Sequence, residues 1–222
     1  MFKNFHKNKY NSGFTFTELL VVMAIFMIIT SITIFNYGSF NASISIQNLA
    51  DDIALSVRRT QSFAIGVQGA RGIFSDGYGV HFTTDTTSSK YFGSKKSFVL
   101  YADLNTSTLY KYTYNNSSTC GTPTSTNECL ELLNIISADE IKDIRLNGES
   151  GGRSPTGTID IIFKRPDPAP YFCYRMNNTQ SSCTLEGNNI SSVQIMVSNI
   201  ADTGISKVVN IAINGQISVS SK

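Results

Sequence analysis

The chain has 222 residues, 18 basic and 16 acidic side chains, and a formal charge of +2. Lys3, Lys7 and Lys9 account for the excess, so the chain beyond residue 13 lies near −1 (15 basic against 16 acidic). That balance argues against a nucleic-acid partner, and against attachment to an anionic membrane by charge alone. One globular domain behind an extended N-terminal element fits the length.

No charged residue occurs from Leu19 to Ala50, and Leu19 to Phe35 is densely apolar, interrupted only by Ala24, Thr30, Ser31 and Thr33. About 20 apolar residues cross a bilayer as a helix. The three lysines precede this run and no basic residue follows before Arg58. The positive-inside bias therefore keeps the N-terminus in the cytoplasm and sends the body across. A secretory signal cleaved near Ser39 or Ala42 is one rival reading, and a plain anchor is another. Neither explains Gly13-Phe14, nor Glu18, a carboxylate that is costly at the edge of a membrane segment.

A lysine-bearing leader, Gly13, Phe14-Thr15, Glu18 and an apolar helix together resemble the prepilin N-terminus of type IV pilins and type II secretion pseudopilins. The resemblance implies cleavage after Gly13 by a prepilin peptidase and N-methylation of Phe14. Glu18 then becomes the fifth residue of the mature chain, where the family carries its glutamate. An ionised carboxylate in lipid needs a partner, and the α-amino group of a neighbouring Phe14 would supply one in a filament. A glutamate that merely snorkels to the interface is the plainer reading.

Asn36-Tyr37-Gly38 breaks the apolar run, and a kink at Gly38 is one expectation there. Ile46, Leu49, Ile53, Val57 and Ala64 then recur at helical spacing, with Asp51, Asp52, Arg58 and Arg59 largely off the stripe. The two arginines read as a solvated face. "LADDIALSVRRTQSFAIGVQG" (49–69) and "DGYGVHF" (76–82) are similar to the helix and first body strand of GspH/FimT-type minor pseudopilins.

After residue 70 the chain reads as strands: 77–82, 96–103, 107–114, 156–165, 191–199 and 206–213. Residues 128–136 fit a helix or a strand. Asn214-Gly215 predicts a terminal hairpin with a type I′ turn. The fold class expected is α+β: a transmembrane then amphipathic helix packed on an antiparallel β-sandwich, as the resemblance implies. The divisions are a leader (1–13), a membrane helix (14–35), an amphipathic helix (36–69) and a β-rich body (70–222).

Cys120, Cys129, Cys173 and Cys183 all lie in the body, where an oxidising compartment would keep them paired. Of three pairings, Cys120–Cys129 and Cys173–Cys183 are favoured because each pair flanks one polar loop. Closing a loop of about 10 residues is worth roughly 2–3 kcal/mol. Zinc would want tighter spacing or histidines, and His81 is the one histidine beyond the leader.

Gly148, Gly151 and Gly152 lack the strand, helix and Gly-Lys-Ser/Thr of a phosphate loop and read as a turn. "RPDPAPYF" (165–172) reads as a rigid loop or strand edge and a candidate contact surface. Tyr110, Tyr112 and Tyr114 alternate as one face of a strand. Some FimT-like proteins bind DNA through a C-terminal Gly-Arg-x-Arg motif. The matching stretch here, Asn214 to Ser218, keeps the glycine and lacks both arginines, and Lys207 and Lys222 are too few to replace them.

No cofactor, metal or catalytic group is expected, and the chain reads as a non-enzyme. The resemblance implies a minor pilin or pseudopilin in a type IV pilus or related filament, near the tip or in an initiating complex. A type II secretion pseudopilin, a DNA-uptake pilin and an unrelated anchored ectodomain are the alternatives. The expected partners are other pilin subunits and, transiently, the prepilin peptidase. The location is the inner membrane as a single pass, with the body outside the cytoplasm and in a filament after assembly.

Overall fold

The computed structural model describes residues 13–66, 75–84, 92–104, 112–114, 119–121, 127–147, 157–175, 182–183, 190–201 and 204–221. The chain divides into two compact units, residues 1–41 and 42–222. One helix, α1 (Phe16–Ile65), contributes to both.

In the first unit, α1 is long and apolar enough to cross a membrane, with no burial in its apolar window. The hydroxyls within it turn back on the helix: Thr30 Oγ1 donates to the Phe26 carbonyl, and Thr33 Oγ1 donates to that of Ile29 at 2.7 Å. This satisfies polar groups that lipid cannot. No melted stretch interrupts the helix at Gly38, since α1 runs unbroken through it. A single glycine costs a helix about 1 kcal/mol relative to alanine, too little to break it.

In the second unit, Ile46, Leu49, Ala50, Ile53, Ala54, Val57 and Ala64 of α1 are buried, together with Thr60. Thr60 Oγ1 donates to the Val57 carbonyl at 2.7 Å, so its burial leaves no unmade bond. The strands are β1 (Gly77–Thr83), β2 (Ser97–Asp103), β3 (Cys129–Asn134), β4 (Asp139–Asn147) and β5 (Thr158–Lys164). They continue as β6 (Pro170–Arg175), β7 (Ser182–Cys183), β8 (Ser192–Asn199), β9 (Ser206–Ala212) and β10 (Ile217–Ser221). Two sheets form, ordered β3-β2-β1-β5-β6-β7 and β10-β9-β8-β4, with antiparallel pairs. An apolar helix followed by antiparallel sheets is an α+β arrangement.

Period-2 alternation decides what each strand buries. Val80 and Phe82, Phe98 and Leu100, and Ile159 and Ile161 from the first sheet share a core with Ile141, Ile144, Val193, Ile195, Val209 and the α1 stripe. Each such side chain stabilises the fold by about 1.5–3 kcal/mol when fully buried. The other face of the first sheet carries a second cluster of Val99, Tyr101, Tyr114, Cys129 and Ile162. With both faces covered, β1 and β2 are buried at every position and read as continuous apolar runs.

Two expectations change and one open reading is resolved. Residues 107–111 lie outside the described residues, and 112–114 are a turn rather than strand, with Tyr112 at φ 70°. Their amides find carboxylates instead of a neighbouring strand: Tyr112 N donates to Asp103 Oδ2 at 3.1 Å and Tyr114 N to Asp160 Oδ1 at 3.3 Å. Residues 129–134, ambiguous in sequence, are strand β3. The last hairpin closes differently from the type I′ expectation. Gly215 N donates to the Ala212 carbonyl at 2.9 Å, and Gly215 alone has a positive φ there, +84°. That is a type I turn over Ile213-Asn214 followed by a left-handed glycine bulge.

Candidate functional site

Gly13 and Phe14 precede the helix. A Cβ at Gly13 would meet nothing within 4 Å, and Phe14 is 89% exposed. Among the described residues nothing crowds the peptide bond between them. Thr15 is the N-cap of α1, and Glu18 stands three residues on. Glu18 N donates to Thr15 Oγ1 at 3.3 Å, while Glu18 Oε2 accepts from Thr15 N and from the Thr15 hydroxyl, each at 3.0 Å. This is a reciprocal capping box. It satisfies helix-end donors that lipid would leave bare, and it sets a negative charge at the positive end of the helix dipole. Both bonds fall on Oε2; among the described residues none falls on Oε1.

In the second unit, Cys120 and Cys129 form a disulfide with Cα atoms 4.7 Å apart. Gly121 N donates to the Cys129 carbonyl at 3.1 Å beside it, covering the start of the β3 edge. Cys173 is also disulfide-bonded, and across β6 and β7 its register partner is Cys183. Arg59 pairs with Glu131 at 2.8 Å, and Arg58 donates to the Ile217 carbonyl at 3.2 Å. The glycine run 148–152, Tyr110 and Lys222 lie outside the described residues.

The proline segment forms a tight turn. Arg165-Pro166 is cis, and Asp167 N donates to the Lys164 carbonyl at 2.7 Å. Gln61 Nε2 donates to the Pro168 carbonyl at 2.8 Å and to that of Gly215 at 3.3 Å, tying α1, this turn and the last hairpin together. The Lys164 ammonium sits 4.0 Å and 4.2 Å from the ring centres of Tyr112 and Tyr171, a cation–π clamp.

Sequence reasoning missed the buried polar cluster on the outer face of the first sheet. His81 and Asp160 are directly opposite across β1 and β5, with Nδ1 2.7 Å from Oδ1 and both side chains buried. Burial, then the charges of Asp160, Asp103 and Glu128, pushes the Tyr101 phenol well above its ordinary value. Tyr101 thus stays a neutral donor, 3.4 Å from the Tyr112 carbonyl. The available signal was a lone aspartate inside the apolar run "TIDIIF". Among the described residues no group of three or more His, Cys, Asp or Glu side chains is placed to hold a metal ion.

The family model of the prokaryotic N-terminal methylation motif matches residues 8–34. No curated protein and no solved structure matches the chain. The matched segment holds Gly13, Phe14, the capping box and the apolar part of α1, which together suggest a membrane-anchored single-pass protein. Assembly with other pilin subunits and processing by a prepilin peptidase are what such a motif implies. The match covers residues 8–34 alone, and over that segment the chain is similar to the N-terminus of type IV pilin-like proteins.

Proposed function

We propose that the chain is a minor pilin or pseudopilin of the GspH/FimT type, a structural subunit of a type IV pilus or related filament. The observation that carries the reading is the methylation motif, set on a capped helix that begins three residues after Gly13. In this reading the peptidase cuts after Gly13 and Phe14 is methylated. Residues 14–35 hold the subunit in the inner membrane, and the body lies outside the cytoplasm. The two antiparallel sheets and the α1 stripe that share one core support a pilin-like sandwich. Cys173–Cys183 is the second disulfide, and the chain catalyses no reaction.

Glu18 acts in two stages. In the lone subunit Oε2 closes the capping box, which offsets part of the cost of a carboxylate at the membrane edge. In the filament Oε1 accepts from the α-amino group of a neighbour's Phe14. That charge-assisted bond strengthens as water is excluded, so it biases the subunit toward assembly.

Nothing in the C-terminal hairpin favours DNA. Gly215 is spent on the bulge and on close approach to Pro168, and both arginines of the DNA-binding motif are missing. The test is intact mass and N-terminal sequencing of the full chain expressed with and without a prepilin peptidase. A mature N-terminus at methylated Phe14 supports the filament reading. Retention of Met1 in the presence of peptidase, or cleavage near Ser39 or Ala42, rejects it.

A further inference from the structure

The end of the body at which α1 enters carries two bare isoleucines on adjacent loops. Ile136, between β3 and β4, is 97% exposed, and Ile200, just after β8, is 55% exposed. Ile200 N donates to the Ala138 carbonyl at 2.9 Å, so the two loops are joined. Slack does not explain the exposure of Ile136, because both neighbours are fixed. Ile135 is buried and its N donates to the Lys96 carbonyl at 2.8 Å. On the other side, Ser137 Oγ donates to Asp139 Oδ2 at 2.7 Å, and the Lys96 ammonium donates to the Ser137 and Asp139 carbonyls. The chain thus turns one isoleucine into the core and holds the next out to solvent.

Charge at this end is compatible with phosphate headgroups. Lys95, Lys96 and Lys207 lie here, Lys207 across from Val197 near the end of β8; the Lys96 ammonium already donates to two loop carbonyls and that of Lys207 to Ser221 Oγ at 2.9 Å, and each keeps a further N–H. Asp139 is wholly buried and spends its carboxylate on Ser45, Ser137 and Asn199, while Glu140 is half-buried. The covalent chain limits how far this end can stand from the bilayer. Ser45 Oγ donates to Asp139 Oδ2 at 2.5 Å, and Ser45 follows Phe35, the end of the apolar run, by ten residues. No conformation of ten residues spans more than about 35 Å.

The geometry points to a lipid contact: Ile136 and Ile200 enter the headgroup boundary of the membrane that anchors residues 14–35, with the lysines at the phosphates. Apolar side chains ringed by basic ones bind this interface through buried area and charge together. This contact rests on the membrane-anchored reading and belongs to the subunit before it enters a filament. Extraction into a filament would then require breaking it, which makes the loop pair a resting dock for the body.

The test uses the full chain in liposomes of phosphatidylethanolamine and phosphatidylglycerol containing nitroxide-labelled lipid. An environment-sensitive fluorophore is placed singly by Ile136→Cys, Ile200→Cys, Ile213→Cys or Ser31→Cys; no free cysteine competes among the described residues. Ile213 is 43% exposed at the other end of β9, a strand length of about 20 Å away. The expected result is lipid quenching at 31, 136 and 200 and none at 213. Quenching at 31 alone overturns the dock and leaves the anchor standing. Equal quenching at 136 and 213 also overturns it, since contact would then be nonspecific. No quenching at 31 removes the anchor, and the dock falls with it.

Discussion

Gly79→Ala isolates the tightest contact in the second cluster. Gly79 sits in β1 directly opposite Tyr101 of β2, and the tyrosine ring lies back over it. A Cβ at position 79 would stand 2.5 Å from Tyr101 Cζ and 2.6 Å from both Cε1 and Oη. Carbon atoms in contact prefer about 3.5–4.0 Å, so the ring must retreat by roughly 1 Å. It has no room to do so. Tyr101 is fully buried, and the Tyr114 ring lies 5.3 Å away, centre to centre. Overpacking of this kind costs about 1–3 kcal/mol. Losing the Tyr101 hydroxyl bond adds about 1 kcal/mol. Removing a glycine from a strand returns about 0.5–1 kcal/mol. The net expectation is a loss of about 2 kcal/mol, which for a body of this size lowers Tm by roughly 4–8 °C. Near-ultraviolet circular dichroism of the full chain reads this melt through its tyrosines. Gly38→Ala is the control, because a Cβ there meets nothing within 4 Å. In a Tyr101→Leu background the penalty of Gly79→Ala should shrink, since the shorter side chain vacates the space the new methyl needs. A Gly79→Ala melt at or above wild type, or an undiminished penalty in the Tyr101→Leu background, would refute the steric reasoning.

Gly215→Ala should cost more than Gly121→Ala in urea denaturation. Both glycines have positive φ, worth about 1–2 kcal/mol to a residue with a Cβ, but only at 215 does the Cβ also meet the Pro168 carbonyl, at 2.6 Å; equal losses would show that the hairpin tip does not pack as described. Tyr101→Phe should flatten the fall in stability at alkaline pH. The folded state holds the Tyr101 proton more tightly than the unfolded chain, so below about pH 10 the group is neutral in both and contributes no slope. Above that pH the unfolded chain loses the proton first, and stability falls by up to about 1.4 kcal/mol per pH unit until the folded group ionises. Urea midpoints for the two proteins that run parallel between about pH 8 and 11 would remove this role. Replacing Cys120 and Cys129 by serine should cost about 2–3 kcal/mol by the loop-closure argument, read as a lower urea midpoint, with no change expected if the loop is held by its hydrogen bonds alone.

What could be read from the sequence was what is local. The α1 stripe has helical period, and β1, β2, β5, β8 and β9 are apolar runs bounded by turns. The prepilin motif is contiguous and readable for that reason, although the cap between Thr15 and Glu18 within it was found only in the structure. Strand β4 escaped notice because a bulge between Ile141 and Asp143 shifts its register and breaks the alternation. Strand β6 begins at Pro170, which is tolerated at the first position of a strand where no amide is needed. Tyr112 and Tyr114 alternate as a strand should, yet the residues that decide their conformation, Asp103 and Asp160, are 9 and 46 positions away. The same non-locality hid the His81–Asp160 pair, which only the β1–β5 register brings together.

Glu18 raises a question that geometry narrows and one substitution can answer. A capping box needs an acceptor at this position, and glutamine serves as well as glutamate. A bond to a neighbour's α-amino group needs the charge, since a charge-assisted bond is roughly twice as strong as a neutral one. Glu18→Gln therefore separates the two roles that Glu18→Ala removes together. If Glu18 only caps α1, Glu18→Gln should insert, be processed and enter filaments like wild type, while Glu18→Ala loses about 0.5–1.5 kcal/mol of helix stability, the net worth of a hydrogen bond. If the charge drives assembly, Glu18→Gln should keep the cap and the processing but fail to enter filaments, which shearing and immunoblotting would read. Among the described residues the cap uses Oε2 alone, so the second outcome requires no loss of the cap. Normal incorporation of Glu18→Gln would confine Glu18 to the helix end and send the search for the assembly contact elsewhere along α1.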